Sequence, residues 1–203
     1  MIDISADQVK TLRERTGAGM MDCKRALQET DGDVEKAIEL LREKGLASVA
    51  KRAGRTADQG VIDSYIHFNK TVGVLVEVNS ETDFVANTDE FRQLVKDIAL
   101  HIASPAAPRW LARDDVPAEI VEQEEHIARA QALEAGKPEN VLDRIVEGKR
   151  RAFYESSVLL EQPYVKDDSK TIQQLIDEVA AKVGEKVAVR RFVRYKLGES
   201  AEG

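Results

Sequence analysis

The sequence predicts an α+β protein of two unequal parts: a small N-terminal bundle of three helices, then an antiparallel sheet with packed helices and a protruding antiparallel helical arm. Three observations carry this prediction. Up to about residue 53, apolar residues recur at helical spacing between breakers; from Val61 the pattern changes to β-branched runs; and two Ala/Glu-rich helical stretches meet at Gly136-Lys137-Pro138. The expected division is residues 1–53 for the bundle, 54–60 for a linker and 61–198 for the sheet domain, with the arm at about 115–153.

The first helix is announced by Ser5-Ala6-Asp7-Gln8, a capping-box pattern in which the Ser hydroxyl takes an orphan backbone N–H and Gln8 reaches back. Val9 and Leu12 supply its apolar stripe, Lys10 and Arg13 project on another side, and Thr16-Gly17-Ala18-Gly19 breaks it. A second helix is expected from about Met20 to Glu29, with Met20, Cys23, Ala26 and Leu27 on one side and one of the paired methionines Met20 and Met21 buried. Asp31-Gly32-Asp33 makes a turn, and Asp33 caps a third helix carrying Val34, Ala37, Ile38 and Leu41, which is expected to stop at Gly45. The stretch from Ala47 to Ala57 reads as a short helix and a flexible linker. Its three basic residues, Lys51, Arg52 and Arg55, lack the interleaved aromatics of a nucleic-acid footprint.

In the second part, Val61 to Phe68 and Val72 to Val78 read as a hairpin closed by Asn69-Lys70-Thr71. A helix with Phe91, Leu94, Val95, Ile98, Ala99 and Ile102 at helical spacing follows, capped by Thr88 or Asn87, and Ser104-Pro105-Ala106-Ala107-Pro108 ends it. Trp110 and Leu111 are expected to pack back on the core. The runs Glu119–Ala135 and Asn140–Phe153 form the arm, each roughly 20–25 Å long by rise per residue. Val158 to Val165 reads as an irregular edge segment because Pro163 cannot donate to a ladder; Thr171 starts a helix with Ile172, Leu175, Ile176, Val179 and Val183. A last strand holds Val187, Val189, Phe192, Val193 and Tyr195, and Glu199–Gly203 reads as a frayed tail.

Composition narrows the function classes. With 33% charged residues against 42% hydrophobic, no apolar run approaches the ~20 residues of a membrane span, and the amino terminus lacks the basic and apolar stretches of a signal peptide; a cytoplasmic protein is expected. The net charge of -7 argues against wide contact with nucleic acid, and the single Cys23 reads as a small core residue. His67, His101 and His126 fall in three elements without metal-ligand spacing, no glycine loop cradles phosphate, and no nucleophile–base pair stands out. No catalytic residue, metal or cofactor is therefore expected.

The candidate functional stretch is Glu81-Thr82-Asp83-Phe84-Val85-Ala86-Asn87, a loop between strand and helix that offers an acid and a large ring. Phe84 is either a plug folded back into the local core or a side chain held out for a partner, and the residues alone leave both open. A peptide binder using the N-terminal helices and an RNA-binding protein are the rival readings.

Two matches select among these. Val9-Lys10-Thr11-Leu12-Arg13-Glu14-Arg15-Thr16-Gly17-Ala18-Gly19-Met20-Met21-Asp22-Cys23-Lys24 resembles the amino-terminal pattern of the elongation factor Ts family almost residue for residue, and Thr82-Asp83-Phe84-Val85 resembles that family's signature. The likeness continues through Gly136-Lys137-Pro138, Val146-Glu147-Gly148-Lys149, Gln162-Pro163-Tyr164-Val165 and Ser169-Lys170-Thr171. The resemblance implies a guanine-nucleotide exchange factor, without covalent chemistry, whose partner is the G domain of elongation factor Tu. It implies a ubiquitin-associated-like bundle gripping that domain through Lys10, Arg13, Met20 and Met21. It also implies that Thr82, Asp83, Phe84 and Val85 dislocate the partner's magnesium, and that His67 matches the histidine placed near the partner's phosphate loop. Longer members carry two related sheet modules where this chain has one, so it resembles the short form, which implies a homodimer.

Overall fold

The structure, a computed structural model, describes residues 4–199; Met1-Ile2-Asp3 and the expected tail beyond Glu199 lie outside the described residues. The elements run α1 (Ala6–Thr16), α2 (Met20–Glu29), α3 (Val34–Arg52), β1 (Gln59–Ile66), β2 (Val72–Ser80), α4 (Asp83–Ala86), α5 (Asp89–Ala103), α6 (Ala118–Glu134), α7 (Glu139–Ser157), β3 (Pro163–Tyr164), β4 (Asp167–Thr171), α8 (Ile172–Val183) and β5 (Val187–Lys196). This is the expected α+β class. The chain gathers into two compact units: residues up to Gly60 with Asn79–Phe91 and Ile176–Ala188, and Val61–Val78 with Arg92–Leu175 and the residues from Val189 on.

In the first unit the bundle closes over Val9, Leu12, Cys23, Ala26, Leu27 and Ala37, with Ile4, Ala18, Val34, Ile38, Leu40 and Leu41 packed around them. The capping box forms as expected: Gln8 N–H donates to Ser5 Oγ (3.2 Å) and Ser5 N–H to Gln8 Oε1 (2.9 Å). Gly17 ends α1 at φ +67°, the left-handed conformation that glycine adopts without strain. The third helix corrects the expected stop at Gly45, for α3 continues to Arg52 and absorbs the short helix assigned after it. A carbon at the Cβ position of Gly45 would lie 3.3 Å from Ala181 Cβ, so the glycine serves a close approach to α8 instead of a helix end. The basic run is likewise structural at Arg52. It is buried, and its guanidinium donates to the Ala180 carbonyl (3.2 Å) in the last turn of α8, where a cation is favoured.

In the second unit β2 is the middle strand of the antiparallel order β1-β2-β5. The β1–β2 hairpin closes where His67 N–H donates to the Val72 carbonyl (2.9 Å), and Lys70 takes a positive φ of 59° in the turn. Leu197 N–H donates to the Thr71 carbonyl (2.8 Å), bringing the end of β5 to the start of β2. Val74, Val76 and Val78 are buried at period two, and Leu94, Val95, Ile98, Ala99 and Ile102 at helical spacing on α5. Helices α6 and α7 lie along each other around Ala128, Ala132, Leu142 and Val146, tied by Arg129–Asp143 (2.5 Å) and Arg150–Glu125 (3.0 Å). Trp110, expected on the core, is half-buried at the root of this helix pair. Its ring lies 5.8 Å from Phe153, under the Arg109 guanidinium, and its N–H and C=O bond to Ser157 and Leu159. Strand β4 is an addition to the expected elements, a polar Asp-Asp-Ser-Lys-Thr segment paired antiparallel with β3. It ends in Thr171, which starts α8 as anticipated: Gln174 N–H donates to Thr171 Oγ1 (3.2 Å) and Thr171 N–H to Gln174 Oε1 (2.9 Å).

Candidate functional site

The segment after β2 is a single helical turn and not the open loop expected from its composition. Thr82 is extended (φ -127°, ψ 155°) and caps Asp83–Ala86, its Oγ1 accepting the Val85 N–H at 3.3 Å. Asn87 closes the other end, its backbone N–H and side-chain amide both donating to the Asp83 carbonyl (3.1 and 2.8 Å). Thr88 then caps α5, accepting the Phe91 N–H at 3.3 Å. The 100° advance per residue does the rest: Val85 and Ala86 are buried, whereas Asp83 is exposed and Phe84 is 80% exposed.

One exposed apolar side chain is ordinary on a protein surface. What distinguishes Phe84 is the bonding that holds its turn. The Thr82 N–H and hydroxyl both donate to the Glu185 carboxylate (3.0 and 2.7 Å). Glu81 accepts the Lys186 backbone N–H (2.6 Å) and Arg55 (3.2 Å), and these bonds, the Lys186 one foremost, hold its carboxyl below the ordinary value despite partial burial. Lys186 Nζ in turn donates to the Arg55 carbonyl (2.8 Å), and Asn79 Nδ2 to that of Ala57 (3.0 Å).

The same compact unit carries Lys10, Arg13, Met20 and Met21. Lys10 and Arg13 are exposed on α1, Lys10 standing 4.0 Å from Glu14. Met20 is 59% and Met21 65% exposed, which corrects the expectation that one of them is buried. Ala18 and Cys23 already close that end of the bundle, so the inward stripe of α2 begins one turn later. Two exposed thioethers at the start of a helix form a flexible, polarisable surface suited to an adaptable contact.

His67 belongs to the other unit, one residue past β1. It is half-buried, with Nδ1 3.1 Å from the Tyr65 hydroxyl and its ring 4.5 Å from that of Phe68. Among the described residues no three of His, Cys, Asp and Glu are grouped to hold a metal ion, and no helix is long and apolar enough to cross a membrane.

Sequence reasoning named Thr82, Asp83, Phe84 and Val85 but missed Glu185. No local signal could have found it, since a carboxylate after a Gly184 helix end reads as solvated surface, and its contact with Thr82 spans 103 positions. Glu81 belongs to the same stretch, and its bond to the Lys186 N–H spans 105 positions.

Comparison with known proteins bears on what this arrangement serves. The sequence pattern of the family described as Elongation factor TS matches residues 5–199. The chain is similar to the elongation factor Ts of Thermoanaerobacter sp. strain X514, at 58% identity over 199 residues covering 98% of this chain and 97% of that one. It is 59% identical over 202 residues to the elongation factor Ts of Desulforamulus reducens, covering 100% and 93% of the two chains. With that of Moorella thermoacetica the identity is 57% over 196 residues, covering 97% and 96%.

Proposed function

Because the chain belongs to the elongation factor Ts family of translation elongation factors, we propose that it binds elongation factor Tu carrying GDP in the cytoplasm and promotes release of GDP and its replacement by GTP. The observation that carries this reading is Phe84, 80% exposed on a turn fixed from both sides. An apolar ring held in water on a bonded scaffold loses little conformational entropy on insertion into a partner, which is the benefit of preorganisation. Asp83 and Phe84 enter the G domain beside the magnesium bound with GDP, with Thr82 and Val85 setting their position. The metal couples the partner's side chains to the phosphates, so a small shift in the groups around it weakens several charge-assisted contacts together. His67, or the sheet beside it, displaces the phosphate loop. By reciprocity, GDP or GTP loosens the factor by as much as the factor loosens the nucleotide, which frees it for another round.

The bundle acts as a ubiquitin-associated-like docking module, with Met20 and Met21 as its apolar contact and Lys10 and Arg13 as its charged rim. The factor works as a homodimer through the open face of its sheet. Supporting this, Ile66, Phe68, Leu75, Tyr195 and Leu197 are all exposed in the second unit, and an ion pair between Glu77 on β2 and Arg191 on β5 (2.7 Å) joins two of its strands. A sheet with one buried face and one apolar exposed face lacks a layer, and a second copy supplies it by two-fold symmetry.

The test is release of a fluorescent GDP analogue from elongation factor Tu. The wild-type protein accelerates it, and Phe84→Ala at equal folded concentration slows it severely; acceleration equal to wild type from Phe84→Ala refutes the assignment.

A further inference from the structure

Resting on that reading of the Asp83–Ala86 turn, we propose that Glu185 is a positioning residue for nucleotide exchange, its carboxylate fixing the Thr82 hydroxyl and through it the turn that presents Asp83 and Phe84. A Thr hydroxyl has one proton to give and lone pairs to receive. Here the proton goes to Glu185 Oε1 at 2.7 Å, which leaves a lone pair for the Val85 N–H at 3.3 Å. The second oxygen of the same carboxylate takes the Thr82 backbone N–H at 3.0 Å. Glu185 thus sets both the backbone and the rotor of the residue that caps the turn, with charge-assisted bonds.

A four-residue helix needs such a fixture. Nucleating a helix fixes several dihedral angles for its first hydrogen bond, and a single turn gains nothing from propagation. Beyond the caps that Thr82 and Asn87 supply, its order is therefore drawn from outside the segment. Glu185 is well placed to supply it, because α8 ends at Val183 and Gly184 turns the chain at φ +76°, its N–H still bonded to the Ala180 carbonyl at 3.0 Å. The next residue, Lys186, holds Glu81 by its backbone N–H.

The residues just before Glu185 brace the bundle. Ala181 meets α3 at Gly45, the Ala180 carbonyl accepts from Arg52, and the aliphatic stem of Lys182 lies over Gly17, where an added Cβ would be 3.0 Å from its Cε. Residues 180–186 thus support the docking helices and the turn within one unit. A partner gripped by the bundle meets the turn in a fixed register, and Glu185 is the side chain on which the turn's part of that register depends.

Glu185→Gln in the full chain tests this, since it keeps the shape while removing the charge and replacing one of the two acceptors by an N–H donor. Three quantities are measured: amide hydrogen exchange at Val85 and Asn87 in the free protein, the global unfolding midpoint, and GDP release from elongation factor Tu as a function of factor concentration. The expected result is about tenfold loss of protection at those two amides, the scale of losing a hydrogen bond to a charged group. The unfolding midpoint stays near that of wild type, and the maximal release rate falls by a similar factor at little-changed half-saturation. Thr82→Val removes the hydroxyl on its own, and adding Glu185→Gln to it should change Val85 protection little further. Unaltered protection in Glu185→Gln, or full additivity of the two substitutions at Val85, overturns the positioning role. Loss of protection with normal release overturns the assignment of the turn to exchange, and a wild-type protein that leaves release unaccelerated refutes the exchange reading itself.

Discussion

Phe84 separates packing from function within one side chain. A buried Phe cut to Ala costs about 3–5 kcal/mol. At 80% exposure the ring has no such role, and Phe84→Ala should change stability by less than about 0.5 kcal/mol while slowing GDP release severely, read by thermal unfolding and release kinetics on one preparation. Asp83→Asn keeps the shape and removes only charge, so its release defect should be milder. His101 presents the opposite case, a polar side chain fully enclosed. Its Nδ1 accepts the Val165 N–H (3.2 Å), so Nε2 carries the proton and donates to Gln162 Oε1 (2.9 Å), while the Gln162 amide donates to the carbonyls of Ala106 (2.9 Å) and Ser156 (2.7 Å). Burial lowers the pKa of His101, and the Gln162 bond opposes this only in part. The unfolded chain therefore takes up the proton first as pH falls. Stability should be level above about pH 6.5, the ordinary histidine value, and decline below it towards the lowered folded value. Urea midpoints at pH 7.5 and 5.5 check this: His101→Gln should be less stable at the higher pH and lose less on acidification than wild type, and an equal loss in both proteins contradicts the account.

Among the elements, α2 and α3 decide how docking is tested. Because α3 runs unbroken through Gly45 to Arg52, truncating the chain at residue 45 would cut a helix that packs on α8 and would damage the support of the turn along with the bundle. Substitution isolates the contact. Met20→Ser with Met21→Ser removes two exposed side chains and leaves Cys23, Ala26 and Leu27 in the core. The expected outcome is unchanged unfolding and a weaker affinity for elongation factor Tu, with release at saturating factor largely retained. Titration with the labelled complex measures both, and unchanged affinity means that the methionines do not dock. The helix pair α6–α7 differs in kind: Ala128 and Ala132 let two helices of roughly 25 Å, by rise per residue, approach closely over a thin stripe. The aromatic groups Trp110, Phe153 and Tyr154 meet at a tilt at its root, with Arg113 over Tyr154 and paired to Glu161.

For the whole molecule the prediction concerns the number of chains that act together. The exposed face of the sheet carries Leu75 on the middle strand. A charge there should oppose burial against a second copy, so Leu75→Asp should sediment as a monomer at micromolar concentration where wild type sediments as a dimer. Reductant should leave the wild-type dimer intact, since Cys23 is buried in the bundle. A wild-type protein that is monomeric at this concentration refutes the homodimer and leaves the face to another partner.

Whatever rests on local pattern is legible in the chain before it folds. Helical spacing marked α1, α2, α5, the α6–α7 pair and α8; Ser5-Ala6-Asp7-Gln8 and Thr171 marked two helix starts; β-branched runs around Asn69-Lys70-Thr71 marked the hairpin. The matches at residues 9–24 and 82–85 pointed to the family in which the whole chain was then found. The remaining features emerge only on folding, each time because the neighbour responsible is far along the chain. Gly45 reads as a helix end until Ala181 is seen against it, and β4, a strand of polar residues, is held by its pairing with β3 without any apolar alternation. The exposure of both Met20 and Met21 follows from Ala18 and Cys23 filling the space first. Residues 82–87 look like a loop because one helical turn is too short to leave a periodic signal and too weak to form unaided. Glu185 holds Thr82, the residue that caps this turn, and that contact exists only once the chain has folded.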